Sequence, residues 1–289
     1  MPELPEVETT KQGIKPHLEG RMITAVQVRN RKLRLPVPLN LNELCGGKHI
    51  TTITRRGKYI LLYMDKGYLL IHLGMSGHLR IVSQTTNPQK HDHVDLHINN
   101  GLALRFCDPR RFGLFIYIDE NPYQHPLLAH LGPEPLSDDF NSEYLLRKAA
   151  NKSQSIKSFI MDSQIVVGIG NIYAAESLFL AKIHPNTSAK KITTEEFNAL
   201  TGHIKKILES AIEAGGTTLR DFYSSDGKPG YFRFALKVYG RKNLPCLVCE
   251  NKIETVVIAG RHSAFCPHCS QSLHNKFNNG HLEPFLFLN

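Results

Sequence analysis

Four cysteines near the end of this 289-residue chain, spaced Cys246-x2-Cys249-x16-Cys266-x2-Cys269, constrain its folding more than any other feature. Two CxxC turns can present four thiolates to one tetrahedral cation, and this spacing is that of two knuckles sharing one structural Zn²⁺. The roughly 24 residues involved cannot bury a core of useful size, so the metal would supply the module's folding energy. A redox role for either CxxC would need a βαβ setting, which the flanking sequence lacks. Cys45 and Cys107 have no partner-like spacing and read as small packing residues. The opening MPELPEVETT carries Glu3, Glu6 and Glu8 and no basic region, so no signal peptide is expected. The expected compartment is a reducing cytoplasm, without a disulfide framework.

Upstream of the cysteines the pattern changes once. Residues 59–64 and 68–73 are apolar runs around Asp65-Lys66-Gly67, and Leu96–Ile98 and Leu102–Phe106 flank Asn99-Asn100-Gly101, two hairpin signals. Ile23–Val28 and Leu114–Ile118 add short β-like runs, and a helix from about Glu6 to Leu18 precedes them. Many short strands with turn punctuation predict a sandwich or barrel. Pro122, Pro126, Pro133 and Pro135 then mark a linker. Ser137-Asp138-Asp139 is capping material for a helix carrying Tyr144, Leu145 and Leu146. Phe197, Leu200, Ile204, Leu208 and Ile212 recur at helical spacing, predicting a helix over about 194–214 that Gly215-Gly216 ends. The fold class is therefore α+β. We expect a β domain, sandwich or barrel, with an N-terminal helix over 1–125, a linker over 126–140, a helical domain over 141–236, a small metal-stapled module over 237–270 and a tail over 271–289.

Charge adds direction. Thirty-five Lys+Arg against 26 Asp+Glu give +9, a surplus that favours polyanions because each neutralised phosphate releases condensed counterions. No stretch approaches the roughly 18 apolar residues of a membrane span. Pro2 allows removal of Met1, which would leave a secondary amine as the new terminus. An α-amino group with a pKa near 8 is partly unprotonated at neutral pH. It can attack an electrophilic sugar carbon to form an iminium, with Glu3 placed to exchange a proton. The same six residues also fit a plain Pro-rich lead into a helix.

PELPEVE at the start, RRGKY at 55–59, HLGMSG at 72–77, HDHVD at 91–95 and DPRRFG at 108–113 resemble the formamidopyrimidine-DNA glycosylases. So do HLGPEPL at 130–136, VVGIGNIYAAES at 166–177, SDGKPGYF at 225–232 and the four cysteines. The resemblance runs in order over roughly 2–269. It implies a bifunctional DNA glycosylase and abasic-site lyase that removes oxidised purines, such as 8-oxoguanine and formamidopyrimidines, from double-stranded DNA. β- and δ-elimination would then leave a one-nucleotide gap with phosphates at both ends. It further implies that the N-terminal domain is a β-sandwich and the zinc finger a β-hairpin, in a monomer with one structural Zn²⁺, no membrane partner, and a bacterial cytoplasmic location, nucleoid-associated when acting on DNA.

The resemblance also assigns residues. Pro2 would be the Schiff-base nucleophile, Glu3 the proton donor, Lys58 the proton donor of β-elimination and Arg261 that of δ-elimination. His91, Arg110, Lys152 and Asn171 would contact DNA, and Glu6 would line the base pocket. Met75, Arg110 and Phe112 would fill the gap left by the extruded nucleotide, because chemistry at C1′ needs that nucleotide out of the stack. Gly168-Ile169-Gly170-Asn171 would be the hairpin of a helix–two-turn–helix motif, bringing backbone close to a phosphate. Residues 217–232 would form a loop over the extruded base. Two alternatives stand beside this reading: an endonuclease VIII-type enzyme for oxidised pyrimidines, and a zinc-dependent damaged-DNA-binding protein without catalysis. Intact Pro2, Glu3 and Lys58 argue against the second. The tail, with Leu273, Phe277, Leu282, Phe285, Leu286 and Phe287, runs past the family's usual end.

Overall fold

The computed structural model describes residues 1–217 and 235–270. The expected loop over 217–232, beyond Thr217, and the tail over 271–289 lie outside the described residues. The chain divides into two compact units. The first comprises 1–137, 163–169 and 208–235, and the second 138–162, 170–207 and 236–289.

The first unit opens with helix α1 (Leu4–Leu18), followed by strand β1 (Ile23–Val28) and a short helix α2 (Leu41–Cys45). Seven more strands follow: β2 (Ile50–Arg56), β3 (Tyr59–Met64), β4 (Tyr68–His72), β5 (His78–Ser83), β6 (Asp92–Ile98), β7 (Leu102–Cys107) and β8 (Leu114–Ile118). They form two antiparallel four-stranded sheets, ordered β1-β6-β7-β5 and β2-β3-β4-β8. One apolar core takes residues from both sheets, among them Val26, Leu96 and Phe106 from one and Leu62, Ile71 and Phe115 from the other. Val7, Ile14 and Leu18 of α1, spaced about two helical turns and one turn apart, join it. Alternate residues of β3 point the other way, so Leu61 packs with Leu70, Ile116 and Leu128 in a second, smaller cluster.

The turns obey the sequence. Tyr63 pairs with Tyr68 across Asp65-Lys66-Gly67, and Gly67 and Gly101 both take positive φ. β2 escapes recognition for a physical reason. A bulge between Ile50 and Thr52 sends Ile50 and Ile53 into the core although they are three residues apart, which hides the period-two alternation.

The second unit is helical: α3 (Ser142–Ala149), α4 (Ile156–Met161), α5 (Asn171–Leu180) and the larger part of α6 (Thr194–Glu213), followed by the hairpin β9 (Glu254–Ile258) and β10 (Arg261–Phe265). The cap of α3 is Asn141, whose Oδ1 accepts the Tyr144 amide at 2.9 Å, rather than the Ser137-Asp138-Asp139 stretch expected for it. Helix α6 ends as expected, with Gly215 and Gly216 at positive φ and the Gly216 amide returning to the Ala211 carbonyl at 2.7 Å.

Candidate active site and nucleic-acid interface

In the first unit, the N-terminus is held by its own helix and by one remote loop. Pro2 and Glu3 are both buried. Glu3 caps α1, and its amide donates to Glu6 Oε2 at 2.9 Å. The other oxygen of Glu6 accepts the Thr217 amide at 2.8 Å, so this buried carboxylate ties the head of α1 to the end of the α6 segment. The Leu4 amide donates to the carbonyl of Gly168 at 2.9 Å. Gly168 has φ +84°, and a Cβ there would lie 2.6 Å from Leu4 Cδ1. The first glycine of the GIGN motif is thus required for close approach to the helix that carries Glu3, a role the sequence alone did not reveal.

Lys58 sits beside Gly57 (φ +56°) in the tight turn between β2 and β3, where Arg56 pairs with Tyr59. Its Nζ donates to the Ile169 carbonyl at 3.1 Å. Glu134, from the Pro-rich segment, clamps this turn: Oε1 accepts the Gly57 amide at 2.7 Å and Arg56 Nη1 at 3.0 Å, and Oε2 accepts Arg55 Nη1 at 2.7 Å. Arg55 also donates from Nε to Glu8 at 2.9 Å. Burial raises the Glu8 carboxyl, but the hydrogen bonds and charges of Lys11 and Arg55 more than offset this and hold it below its usual range. Arg55 and Arg56 are therefore committed to internal carboxylates. Glu134 and His72 are among the residues that sequence reasoning missed, although both stand in family-like motifs. The His72 ring lies 4.8 Å from that of Tyr59, and its Nδ1 accepts the Gly74 amide at 2.9 Å. Burial, with the cations of Lys58 and Arg34, pushes its pKa down to about 4, leaving a neutral imidazole beside Lys58.

Elsewhere in the unit, large side chains stand out from turns. Met75 is 39% exposed and Phe112 48%, unusual for such apolar groups. The Arg110 guanidinium lies 5.1 Å from the centre of the Phe112 ring. His91 is half-buried, its carbonyl accepting the Asp108 amide at 3.0 Å.

The second unit brings together Asn171 and the hairpin that carries Arg261 at the start of β10. Asn171 opens α5, its Oδ1 accepts Lys157 Nζ at 2.6 Å, and its Nδ2 donates to the His262 carbonyl at 3.2 Å. Lys157, 1% exposed, also donates to Ser263 Oγ at 2.7 Å, so one buried ammonium joins α4, α5 and β10. Asn171 and His262 border a cleft of about 410 Å³ that Tyr239 and Lys242 also line. Arg261 is exposed and borders a smaller cleft with Lys157. Lys152 is exposed in the turn after α3, where its carbonyl accepts the Lys190 amide at 3.0 Å; the described contacts do not join it to Asn171.

The four cysteines converge. Their sulfurs lie within 4.8 Å of one another, with 3.9 Å between Cys246 and Cys269 and 3.4 Å between Cys249 and Cys266. A tetrahedral zinc with bonds of about 2.3 Å needs sulfurs about 3.8 Å apart, so the set fits the ion. Burial pushes the thiols of Cys266 and Cys269 up, which is the situation a divalent cation reverses. The module also has some core, since Ile253 and Ala264 pack with Ala175 and Phe179 of α5. Cys45 and Cys107 are buried and free, and burial raises both thiols to about 12.

The chain matches three family models: the formamidopyrimidine-DNA glycosylase N-terminal domain over residues 1–115, the H2TH domain of the same enzymes over 131–223, and a zinc finger found in FPG and IleRS over 243–271. A formamidopyrimidine-DNA glycosylase from Legionella pneumophila is 98% identical over 269 residues, covering 93% of this chain and 98% of the relative. The chain belongs to the formamidopyrimidine-DNA glycosylase family. A family member from Hydrogenovibrio crunogenus is 54% identical over 273 residues, covering 94% of this chain and 98% of its own length. Among solved structures, the MutM (Fpg) protein of Thermus thermophilus is 37% identical with a TM-score of 0.84, covering 93% of this chain and 98% of its own. A Lactococcus lactis Fpg variant in complex with a Fapy-dG containing DNA is 32% identical with a TM-score of 0.88, covering 94% and 100%. The α+β fold and the zinc-finger module expected from the sequence are those of the family. No described helix is long and apolar enough to cross a membrane.

Proposed function

We propose that this chain excises oxidised purines, 8-oxoguanine and formamidopyrimidines, from double-stranded DNA and then cleaves the strand at the resulting abasic site. The observation that carries this is the anchoring of the two reactive elements on adjacent carbonyls: Leu4, next to Glu3, on Gly168, and Lys58 on Ile169. Once Met1 is removed, the Pro2 nitrogen attacks C1′ of the damaged nucleotide. The glycosidic bond breaks and the base leaves with the proton that Pro2 gives up; the C1′–O4′ bond then opens as Glu3 protonates O4′, and an iminium links Pro2 to the ring-opened sugar. Loss of a C2′ proton then expels the 3′ phosphate, with Lys58 exchanging the proton; loss of the C4′ proton expels the 5′ phosphate, with Arg261 assigned to that step. Hydrolysis of the iminium frees Pro2. Low dielectric and fixed groups make each transfer more effective than in water.

The other roles divide by unit. In the first, Met75, Arg110 and Phe112 refill the stack, His91 and Arg110 touch the DNA, and Glu6 lines the base pocket with both carboxylate oxygens engaged by backbone amides. In the second, Asn171, Lys152 and Arg261 grip phosphates, supported by the basic surplus of the chain. The Zn²⁺ site fixes the hairpin that carries Arg261.

Strand cleavage on duplexes carrying 8-oxoguanine, thymine glycol or an abasic site tests the reading. Cleavage at 8-oxoguanine and at the abasic site is expected. Action on thymine glycol alone would point to the endonuclease VIII type. Tight binding with no cleavage of any would point to a binding protein.

A further inference from the structure

Beneath the exposed Met75, Arg110 and Phe112 lies a buried carboxylate to which neither the sequence nor the proposed mechanism gives a part. Asp108 is 0% exposed. Its Oδ1 accepts the Ser76 hydroxyl at 2.7 Å and its Oδ2 accepts the Gly113 amide at 2.7 Å. Ser76, itself 4% exposed, uses the same hydroxyl oxygen to accept the Arg110 amide at 3.1 Å. The backbone of Asp108 is equally engaged: its amide donates to the His91 carbonyl at 3.0 Å and its carbonyl meets His93 Nε2 at 2.8 Å.

One carboxylate and one hydroxyl therefore join the turn carrying Met75 to the turn carrying Arg110 and Phe112, and the backbone of Asp108 joins both to the strand that begins beside His91. The two turns also touch backbone to backbone. Gly74 has φ +63°, and a Cβ on it would lie 2.5 Å from the Phe112 carbonyl carbon and 2.6 Å from the Gly113 nitrogen. A Cβ on Gly113 would lie 2.9 Å from Asp108 Oδ2. Exposed side chains thus rise from a base with no room to shear.

We propose that Asp108, acting through Ser76, is a positioning residue that makes Met75, Arg110 and Phe112 one preassembled wedge. The inference rests on the wedge reading of those three side chains. Inserting three groups separately into a stacked duplex requires each to be ordered at the moment of extrusion, and a pre-ordered base removes that cost from the extrusion step. Asp108 itself touches no DNA; it acts on the rate through the turns it ties. An abasic site has no stacked base to displace, so cleavage there depends little on the tie.

The test compares single-turnover cleavage of an 8-oxoguanine duplex with that of an abasic duplex, in the full-length zinc-loaded protein. Ser76→Ala and Asp108→Ala should slow the first about tenfold and the second less than about twofold, the scale of one missing buried hydrogen bond. Asp108→Asn should recover most of the loss, since its amide can donate to Ser76 Oγ while its oxygen still accepts from Gly113. Phe112→Ala, run alongside, separates two failures. If it leaves the ratio of the two rates unchanged, the wedge reading falls and the proposal with it. If Phe112→Ala lowers the ratio but Ser76→Ala does not, or lowers both rates equally, the proposal alone is overturned. Should Asp108→Ala prove unfolded by circular dichroism, Ser76→Ala decides.

Discussion

The Lys58 ammonium donates to the Ile169 carbonyl at 3.1 Å, one peptide beyond the Gly168 carbonyl that takes the Leu4 amide at 2.9 Å. A single stretch of backbone thus sets both the helix head that carries Pro2 and Glu3 and the turn that carries the lysine. Gly168→Ala should damage this arrangement, because the position needs positive φ and the new Cβ would meet Leu4 at 2.6 Å. We expect stability to fall by about 1–3 kcal/mol and cleavage of abasic DNA to fall further than the folded fraction explains. Unchanged cleavage per folded molecule would contradict the anchoring role.

Removing the metal should uncouple the hairpin from Asn171. Ser263 of β10 shares Lys157 with Asn171, and the cysteines hold the hairpin's far side. Cys249→Ser, or treatment with a chelator, should increase amide exchange over residues 245–270 and weaken DNA binding. The packing of Ile253 and Ala264 on α5 means the module loosens rather than detaches. Unchanged zinc content and DNA affinity in Cys249→Ser would refute this.

The phosphate grip should be readable from salt dependence. Arg261→Ala or Lys152→Ala should flatten the plot of log affinity against log salt by about 0.9 for each phosphate no longer neutralised. Asn171→Ala should weaken binding with little change of slope, since the amide carries no charge. A slope that drops with Asn171→Ala and not with Arg261→Ala would reverse the assignment.

His72 makes stability sensitive to acid. Its pKa falls from 6.5 to about 4 on folding, through burial and the cations of Lys58 and Arg34. The folded state therefore binds this proton less readily than the unfolded chain does. The contribution is complete above 6.5 and is lost as pH falls toward 4, at up to about 1.4 kcal/mol per pH unit. Replacing His72 by Asn should make urea unfolding less dependent on pH between 7 and 5. Identical pH dependence in parent and variant would show that His72 is not buried neutral.

Much of the fold is legible in the sequence alone. Hairpin punctuation, the periodicity of α6 and the cysteine spacing are local signals, and each describes an element that forms from neighbouring residues. β2 was hidden because its bulge breaks the alternation at Ile50 and Thr52. The candidate site was legible by motif, yet its supports were not. Glu134 lies 77 residues from Gly57, and Gly168 lies far along the chain from Leu4, so no periodicity or local spacing could join them. Asp108 and Ser76 stand inside family-like motifs, but only their burial and shared hydrogen bond separate them from ordinary turn residues.

The most direct test of the central claim is to trap the covalent adduct. Met1 is exposed and Pro2 buried behind it, and while Met1 remains, the Pro2 nitrogen is a tertiary amide whose lone pair is held in resonance. Protein lacking Met1 should be captured on 8-oxoguanine DNA by borohydride, with the adduct on the peptide that begins at Pro2. Protein retaining Met1 should bind the same DNA and give no adduct. An adduct on Lys58 in the processed protein, or equal trapping with Met1 in place, would contradict the assignment of Pro2 as nucleophile.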